Sequence, residues 1–413
     1  MNPIRKLASD AAPILRALTR SRAGPILIAL QCAITLAILT NAIFIIQDRV
    51  QKMARPSGMD VDHVFWFFSI PFTADFDANA VLTEDMRRLR ALPGVVDASI
   101  TTGVPLSGGG SSSAYAATAD AKPEAYQRAS YYETDDHGLN AFGVKLIAGR
   151  NFLPGEVEQR APLTERENGA AIITKAYADK LFPPDGGSGA AIGKSLYGKT
   201  GKPTPIVGIV ERAQTPWLTW GELEHSVFFS SYQASFSRYV VRTEPGQRDA
   251  LIPQVEKLLA DISRDRIISY LKTQQQAEQE AYSQYRAMAV ILGVVIVLIV
   301  AITALGIVGL ASFNVNARKK QIGTRRALGA QKGDIVRYFL VESWLITTAG
   351  AVLGAVLSFG VSFWMANTFD LPPLDWRYIP VGVGLLWVLG IIAVLIPARR
   401  ASQLPPALAT RSV

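Results

Sequence analysis

The segment GGSGAAIGKS, Gly186–Ser195, ends in the Gly-Lys-Ser of a phosphate-cradling loop. That loop wraps its backbone amides around a phosphate only if an earlier glycine opens the turn and a strand leads into it. Here Ser188 stands where the first glycine belongs, and Pro183-Pro184-Asp185 leads in instead of an apolar strand. A surface turn ahead of a strand is the better reading. The three histidines, His63, His137 and His225, lie in no HExxH or CxxC context. Asp135-Asp136-His137 has metal-ligating types, but without further ligands at fitting spacing it reads as a solvated loop. Ser107 and Ser111–Ser113 sit in a Gly-rich stretch with no GxSxG elbow. No catalytic set, cofactor loop or metal cluster is expected. Trp217, Trp220, Leu218 and Val227 could form a binding surface for a hydrophobic substrate, but packing or contact with the membrane surface is the simpler account.

A different pattern stands out at Arg318–Gly350, RKKQIGTRRALGAQKGDIVRYFLVESWLITTAG. Six bases, Arg318, Lys319, Lys320, Arg325, Arg326 and Lys332, precede Asp334, the first acid. Ile322, Ala327, Leu328 and Ala330 add a small apolar face, and Gly323, Gly329 and Gly333 punctuate short helical pieces. Charge alone would serve membrane topology. An apolar face flanked by arginine also suits a short helix docking in a partner's groove. Asp334 follows at the start of the next segment, and Lys320 and Gln321 complete the polar side. Further on, Gly350 and Gly354 form a GxxxG with Ala351, Ala355 and Ser358 nearby, which lets helices approach closely within this chain or between chains. Glu342 falls where it can reach the headgroups or a base of the loop.

These residues are positioned by long apolar runs. The chain has 413 residues, 49% hydrophobic and 18% charged. The runs Gly24–Ile46, Ala287–Phe313, Tyr338–Trp364 and Tyr378–Ile396 each approach or exceed the roughly 20 residues that cross a bilayer. Four transmembrane helices are expected. The net charge of +8 suggests nucleic acid only until its placement is read. Arg5, Lys6, Arg16, Arg20 and Arg22 precede the first span, the six bases lie between the second and third, and Arg399 and Arg400 follow the fourth. Basic residues stay on the cytoplasmic side, so both termini and the basic loop are expected inside. The first run is too long for a signal-peptide core and Gln47-Asp48-Arg49 is no cleavage site, so it reads as a retained anchor. Cys32, the only cysteine, lies within it, and the outer domain has no disulfide.

The expected order is a basic amphipathic N-terminus (1–23), a span (24–46), an extracytoplasmic α/β domain (47–272), a stalk helix (273–286) and a span (287–313). A coupling loop (314–337), a span (338–364), an outer loop (365–377), a span (378–397) and a cytoplasmic tail (398–413) complete it. In the outer domain, His63–Ile70, Ala78–Leu92 and Val95–Val104 read as strand, helix and strand. Tyr239–Thr243, Arg248–Ile262 and Arg266–Leu271 repeat that order, as in a ferredoxin-like split βαβ sheet. Between them, Gly108–Ser113 reads as a flexible turn, and an inserted subdomain is expected at about 114–202. Thr273–Tyr285, rich in Gln and Glu, is expected to run as one helix into the second span.

KKQIGTRRALGAQKGDIVRYFLVES (Lys319–Ser343), followed by the glycines of the third span, resembles the permease core of MacB/FtsX-like ABC transporter subunits. IPARRASQLPPALATR (Ile396–Arg411) is similar to the family's C-terminal signature. GRNF (Gly149–Phe152), AIITKAYADKLF (Ala171–Phe182) and PIVGIV (Pro205–Val210) resemble the MacB-type periplasmic core domain. Gln321 departs from the glutamate common at that position.

The resemblance implies a four-span permease of the bacterial inner membrane that dimerises with an identical or related chain. The loop would be a coupling helix on a separate cytoplasmic ABC ATPase dimer, expected because no nucleotide-binding motif is found in these residues. ATP hydrolysis there would move the outer domain by mechanotransmission, in export or in periplasmic extraction of a peptide, lipophilic compound or lipoprotein. A periplasmic adaptor is a further candidate partner, membrane lipids surround the spans, and nucleic acid is not expected. The alternative is an FtsX-type signal transducer that activates a cell-envelope hydrolase.

Overall fold

The computed structural model describes residues 23–161, 164, 169–183, 190–235, 238–369, 372–403 and 405. The amphipathic approach at Pro3–Arg22, the glycines at the start of Gly186–Ser195 and the end of the C-terminal signature lie outside the described residues. The chain divides into a helical unit, residues 1–54 with 285–413, and an α/β unit, residues 55–284.

In the helical unit, α1 (Ala23–Met53) precedes the α/β unit. Among the described residues the α/β unit has twelve strands: β1 (Val64–Pro71), β2 (Val95–Thr101), β3 (Ser111–Tyr115), β4 (Gln127–Thr134), β5 (Leu146–Gly149), β6 (Glu158–Gln159), β7 (Ala171–Thr174), β8 (Ser195–Tyr197), β9 (Pro203–Val210), β10 (Ser226–Tyr232), β11 (Arg238–Thr243) and β12 (Arg266–Thr273). Its helices are α2 (Ala78–Arg90), α3 (Gly138–Phe142), α4 (Lys175–Leu181), α5 (Arg248–Ile262) and α6 (Gln274–Ala281). The remaining helices are α7 (Ser283–Ala317), α8 (Lys319–Ala327), α9 (Lys332–Phe369) and α10 (Tyr378–Ser402). Four of them, α1, α7, α9 and α10, are long and apolar enough to cross a membrane. The fold is therefore four candidate transmembrane helices plus a mixed α/β domain, as the residue pattern predicts.

The strand order β12-β1-β11-β2 is that of a ferredoxin-like sheet, with β1 antiparallel to both β11 and β12. The periodicity of Leu82, Met86 and Leu89 lays α2 over Phe65, Phe67 and Ile100, and Val255 and Leu259 place α5 in the same core. Asp77 starts α2 by accepting hydrogen bonds from the amides of Asn79 and Ala80. The sheet then continues through β4-β10-β7-β9-β5. Strands from the stretch expected as a separate insert thus lie in the same hydrogen-bonded path, but β2 meets β4 through a single registered pair, Thr101–Thr134.

Two local expectations are corrected. Ser111–Ser113 belong to β3, registered against Ala129–Tyr131 of β4, because cross-strand pairing overrides a Gly- and Ser-rich composition. The stalk is not one helix: α6 stops at Ala281 and α7 starts at Ser283. Tyr282 between them is buried, with ψ near 3°, and its hydroxyl lies 3.4 Å from the Gln214 amide oxygen, which ties it into the α/β unit.

Candidate functional site

The basic loop folds into the nine-residue helix α8 between two breaks. Arg318 is non-helical, with φ −106°, and starts it. At its end the chain turns left-handed at Gly329, φ +96°, a conformation glycine adopts without a Cβ clash. The amides of Leu328 and Ala330 return to the carbonyls of Thr324 and Arg325, closing the last turn. Asp334 then accepts from the Gln331 amide at 3.0 Å and fixes the start of α9. Gly323 and Gly333 lie inside helices, so only Gly329 punctuates the loop as expected.

The expected apolar face is not one surface. Ile322 and Gly323 are buried, Ala330 is half-buried, and Ala327 and Leu328 are exposed. Residues five apart on a helix point in different directions, whereas positions three and four apart share a face. The inward face is Ile322 with Gly323, flanked by half-buried Arg318, and Arg325 is exposed at its edge. Ile322 shares a buried cluster with Ile335 and Phe339 of α9 and Ala398 and Ala401 of α10. The outward side presents Lys319, Lys320, Gln321, Thr324, Ala327 and Leu328, with Leu328 84% exposed. Arg326 turns back to donate to the Ala330 carbonyl at 3.0 Å.

Beneath α8 lies an acid. Glu342 is 3% exposed although it sits in the apolar run of α9. Its carboxylate oxygens lie 3.1 and 3.2 Å from Arg318 Nη1, which also donates to the Tyr338 hydroxyl at 3.1 Å. The Arg325 guanidinium stands 4.9 Å from the centre of the Tyr338 ring. Of the two positions open to Glu342 from sequence, it takes the one paired with a base of the loop. Removing one partner of a buried ion pair leaves an uncompensated charge, at a cost of roughly 3–5 kcal/mol.

Gly350 and Gly354 face α1. A Cβ on Gly350 would lie 2.6 Å from the Ala29 carbonyl oxygen, and one on Gly354 would lie 2.8 Å from that of Ala33. The motif therefore packs helices within the chain. The same seam carries hydroxyl contacts: Thr40 donates to Ser358 at 2.9 Å, and the Asn41 amide donates to the Ser358 carbonyl at 3.1 Å. Thr35 and Thr303 exchange a 2.7 Å hydroxyl contact between α1 and α7.

The other candidates resolve as structure. Asp135 is not in a solvated loop: it is buried, accepts from Ser99 at 2.5 Å and pairs with Arg90 at 2.6 Å. Burial raises its carboxyl above the ordinary range, against the pull of Ser99 and Arg90. His137 meets Asp97 at 2.9 Å instead of a metal, and no group of three ligating side chains suited to a metal occurs among the described residues. Trp217 and Trp220 stack at 5.0 Å with Arg128 over the second ring, and Val227 lies in the core, so they form no open apolar platform.

Four membrane-length helices with an α/β domain between the first and second define a membrane permease architecture. Residues 27–258, more than half the chain, match the MacB-like periplasmic core domain, and residues 293–406 match the FtsX-like permease C-terminal domain. The chain belongs to the MacB/FtsX-like family of ABC transporter permeases. It is 25% identical over 279 residues to the macrolide export ATP-binding/permease protein MacB of Chromobacterium violaceum, covering 64% of this chain and 40% of that protein. It is also 25% identical over 301 residues to the uncharacterized ABC transporter permease YvrN of Bacillus subtilis, covering 68% of this chain and 69% of that one. Among solved structures, the periplasmic region of MacB from Actinobacillus actinomycetemcomitans aligns at 12% identity and a TM-score of 0.34, over 56% of this chain and 97% of that one.

Proposed function

We propose that this chain couples ATP hydrolysis on a separate cytoplasmic ATPase dimer to movement of an extracytoplasmic domain, with α8 as the coupling helix. The observation that carries the reading is the two-sidedness of α8. Its inner side is fixed by buried Ile322 and by the reach of Arg318 and Arg325 to α9, while Leu328 stands in solvent with Lys319 and Lys320 on the outward side. An exposed leucine beside lysines suits a groove on a partner subunit. In this reading both termini and α8 are cytoplasmic, a second permease chain completes the assembly, and a periplasmic adaptor is a further partner. The cargo is a peptide, a lipophilic compound or a lipoprotein, moved by export or by extraction from the periplasmic side. The large α/β unit, residues 55–284, favours this output over activation of a cell-envelope hydrolase.

The test is purification of the chain from its membranes in mild detergent with the ATP-binding subunit that accompanies it. Deleting residues 323–329 should abolish stimulated ATPase activity while leaving the chain in the membrane. Unchanged stimulation overturns the reading. Co-purification of an envelope hydrolase, with no cargo moved, favours the transducer.

A further inference from the structure

We propose that Arg318, Tyr338, Glu342 and Arg325 form a clasp that makes α8 and α9 move as one body, and that this clasp is the joint through which a push on α8 enters the membrane helices. The inference rests on the functional reading above for the source of the push. The clasp itself rests on geometry alone.

Arg318, at the start of α8, and Arg325, exposed at its edge, lie seven positions apart with Ile322 between them. Both reach one turn of α9. Arg318 takes the Tyr338 hydroxyl and the Glu342 carboxylate, and Arg325 covers the Tyr338 ring. Tyr338 and Glu342 are four apart, so they stack on one side of α9. Ile322, between them in sequence, belongs to the buried cluster that also holds Ile335 and Phe339. A helix held at one point can pivot. One held at two points by directional contacts, with a buried side chain between them, cannot slide or roll without breaking an ion pair in an apolar setting. Arg318 also stands at the break between α7 and α8. The contact to Glu342 therefore joins the end of α7, the start of α8 and the body of α9 at one residue. A cavity of about 30 Å³, lined by Glu342, Asn314 and Ser343 among apolar side chains, lies beside the pair. It leaves room for the carboxylate to shift or take up water once Arg318 lets go. The clasp thus has an open arrangement available without rebuilding the core.

The functional reading needs α8 only as a docking surface. The clasp assigns positioning roles to Arg318, Tyr338 and Glu342, which lie on the side away from the docking face.

The test uses the full chain in inside-out membrane vesicles, with Ile322→Cys as reporter and a membrane-impermeant maleimide as probe. The native Cys32 is fully buried and stays silent. Labelling of the reporter should be slow in the otherwise unchanged chain. It should be about tenfold faster or more with Glu342→Gln or Arg318→Gln, the change expected when a buried pair loses one charge. Arg318→Lys, which keeps the charge, should stay near the parent rate. In a second arm, Ser283→Cys reports on the exposed start of α7. In the purified complex its labelling rate should change on adding ATP. With Glu342→Gln the complex should still hold and hydrolyse ATP, yet the Ser283→Cys response should vanish. Unchanged reporter labelling in Glu342→Gln overturns the clasp. Faster labelling with an intact ATP response overturns its role as the joint. If no ATP-binding subunit accompanies the unmodified chain, the functional reading fails and the joint with it, while Ile322→Cys labelling still decides the clasp.

Discussion

Gly350 of α9 lies so close to Cys32 of α1 that a Cβ built on the glycine would come within 2.7 Å of the cysteine Cβ. The same atom would be 2.6 Å from the backbone oxygen of Ala29, which cannot swing away as a side-chain tip can. Gly350→Ala should therefore lower the stability of the solubilised chain by about 1–3 kcal/mol, the usual cost of overpacking. Gly360→Ala in the same helix is the control, since nothing lies within 4 Å of its Cβ position. Thermal unfolding followed by loss of monodisperse protein should separate the two. Equal melting would mean that α1 and α9 do not pack as described.

In the α/β unit, Asp85 of α2 is wholly buried and meets Arg266 of β12 in a two-pronged pair, one arm of which spans 2.7 Å. The Tyr239 hydroxyl of β11 donates to the same carboxylate at 2.7 Å. Asp85→Ala strands a buried guanidinium and should cost roughly 3–5 kcal/mol. Asp85→Leu with Arg266→Met removes both charges and should cost clearly less. Protease resistance of the α/β unit in the full chain reads this out, and a double variant as fragile as the single would contradict it.

His225 gives a pH dependence. Its ring is buried against Tyr177, and burial lowers its affinity for a proton despite the pull of Glu222 and Glu224. The folded-state pKa is therefore below the unfolded one. Protonation then favours the unfolded chain, so stability is kept above the unfolded value, about 6.5, and declines as pH falls below it toward the lower folded value. His225→Gln should flatten this part of a melting-temperature profile taken between neutral and mildly acidic pH. An unchanged slope would assign the acid sensitivity to another group.

Leu328→Glu alters the outward side of α8 and leaves Arg318, Ile322 and Arg325 in place. Exposed substitutions of this kind usually change stability by less than about 0.5 kcal/mol. The chain should melt as before, while the amount of ATP-binding subunit retained on purification should fall several-fold. Full retention would place the partner's contact elsewhere.

The four spans and the ferredoxin-like half were legible because each rests on local periodicity. The limits of α5, Arg248–Ile262, emerge residue for residue from apolar spacing bounded by turns. The family was legible from Lys319–Ser343 for a different reason, since that stretch is dense in particular side chains. What stayed hidden depends on partners distant in sequence. Nothing near Ser111 announces that Tyr131 will pair with it, and nothing near Asp135 announces Arg90 and Ser99. In α8 the apolar types were seen, but their division between two sides was not, because Ile322 is turned inward by Phe339 and Ala398, neither of them in the loop.

The Thr101–Thr134 junction gives the long sheet a crease. Every other step along the strand path is held by at least three registered pairs, and the steps of the ferredoxin-like half by five or six. Only one holds this step, helped by the Thr102 amide on the Glu133 carbonyl and the Thr102 hydroxyl under the Glu133 amide. What the strands lack there the side chains supply: Arg90 and Ser99 hold Asp135, and one buried cluster runs from Trp66 and Val240 to Tyr132 and Phe228, so the ferredoxin-like half and the half built on β4, β7, β9 and β10 are welded through their core more than through their backbone.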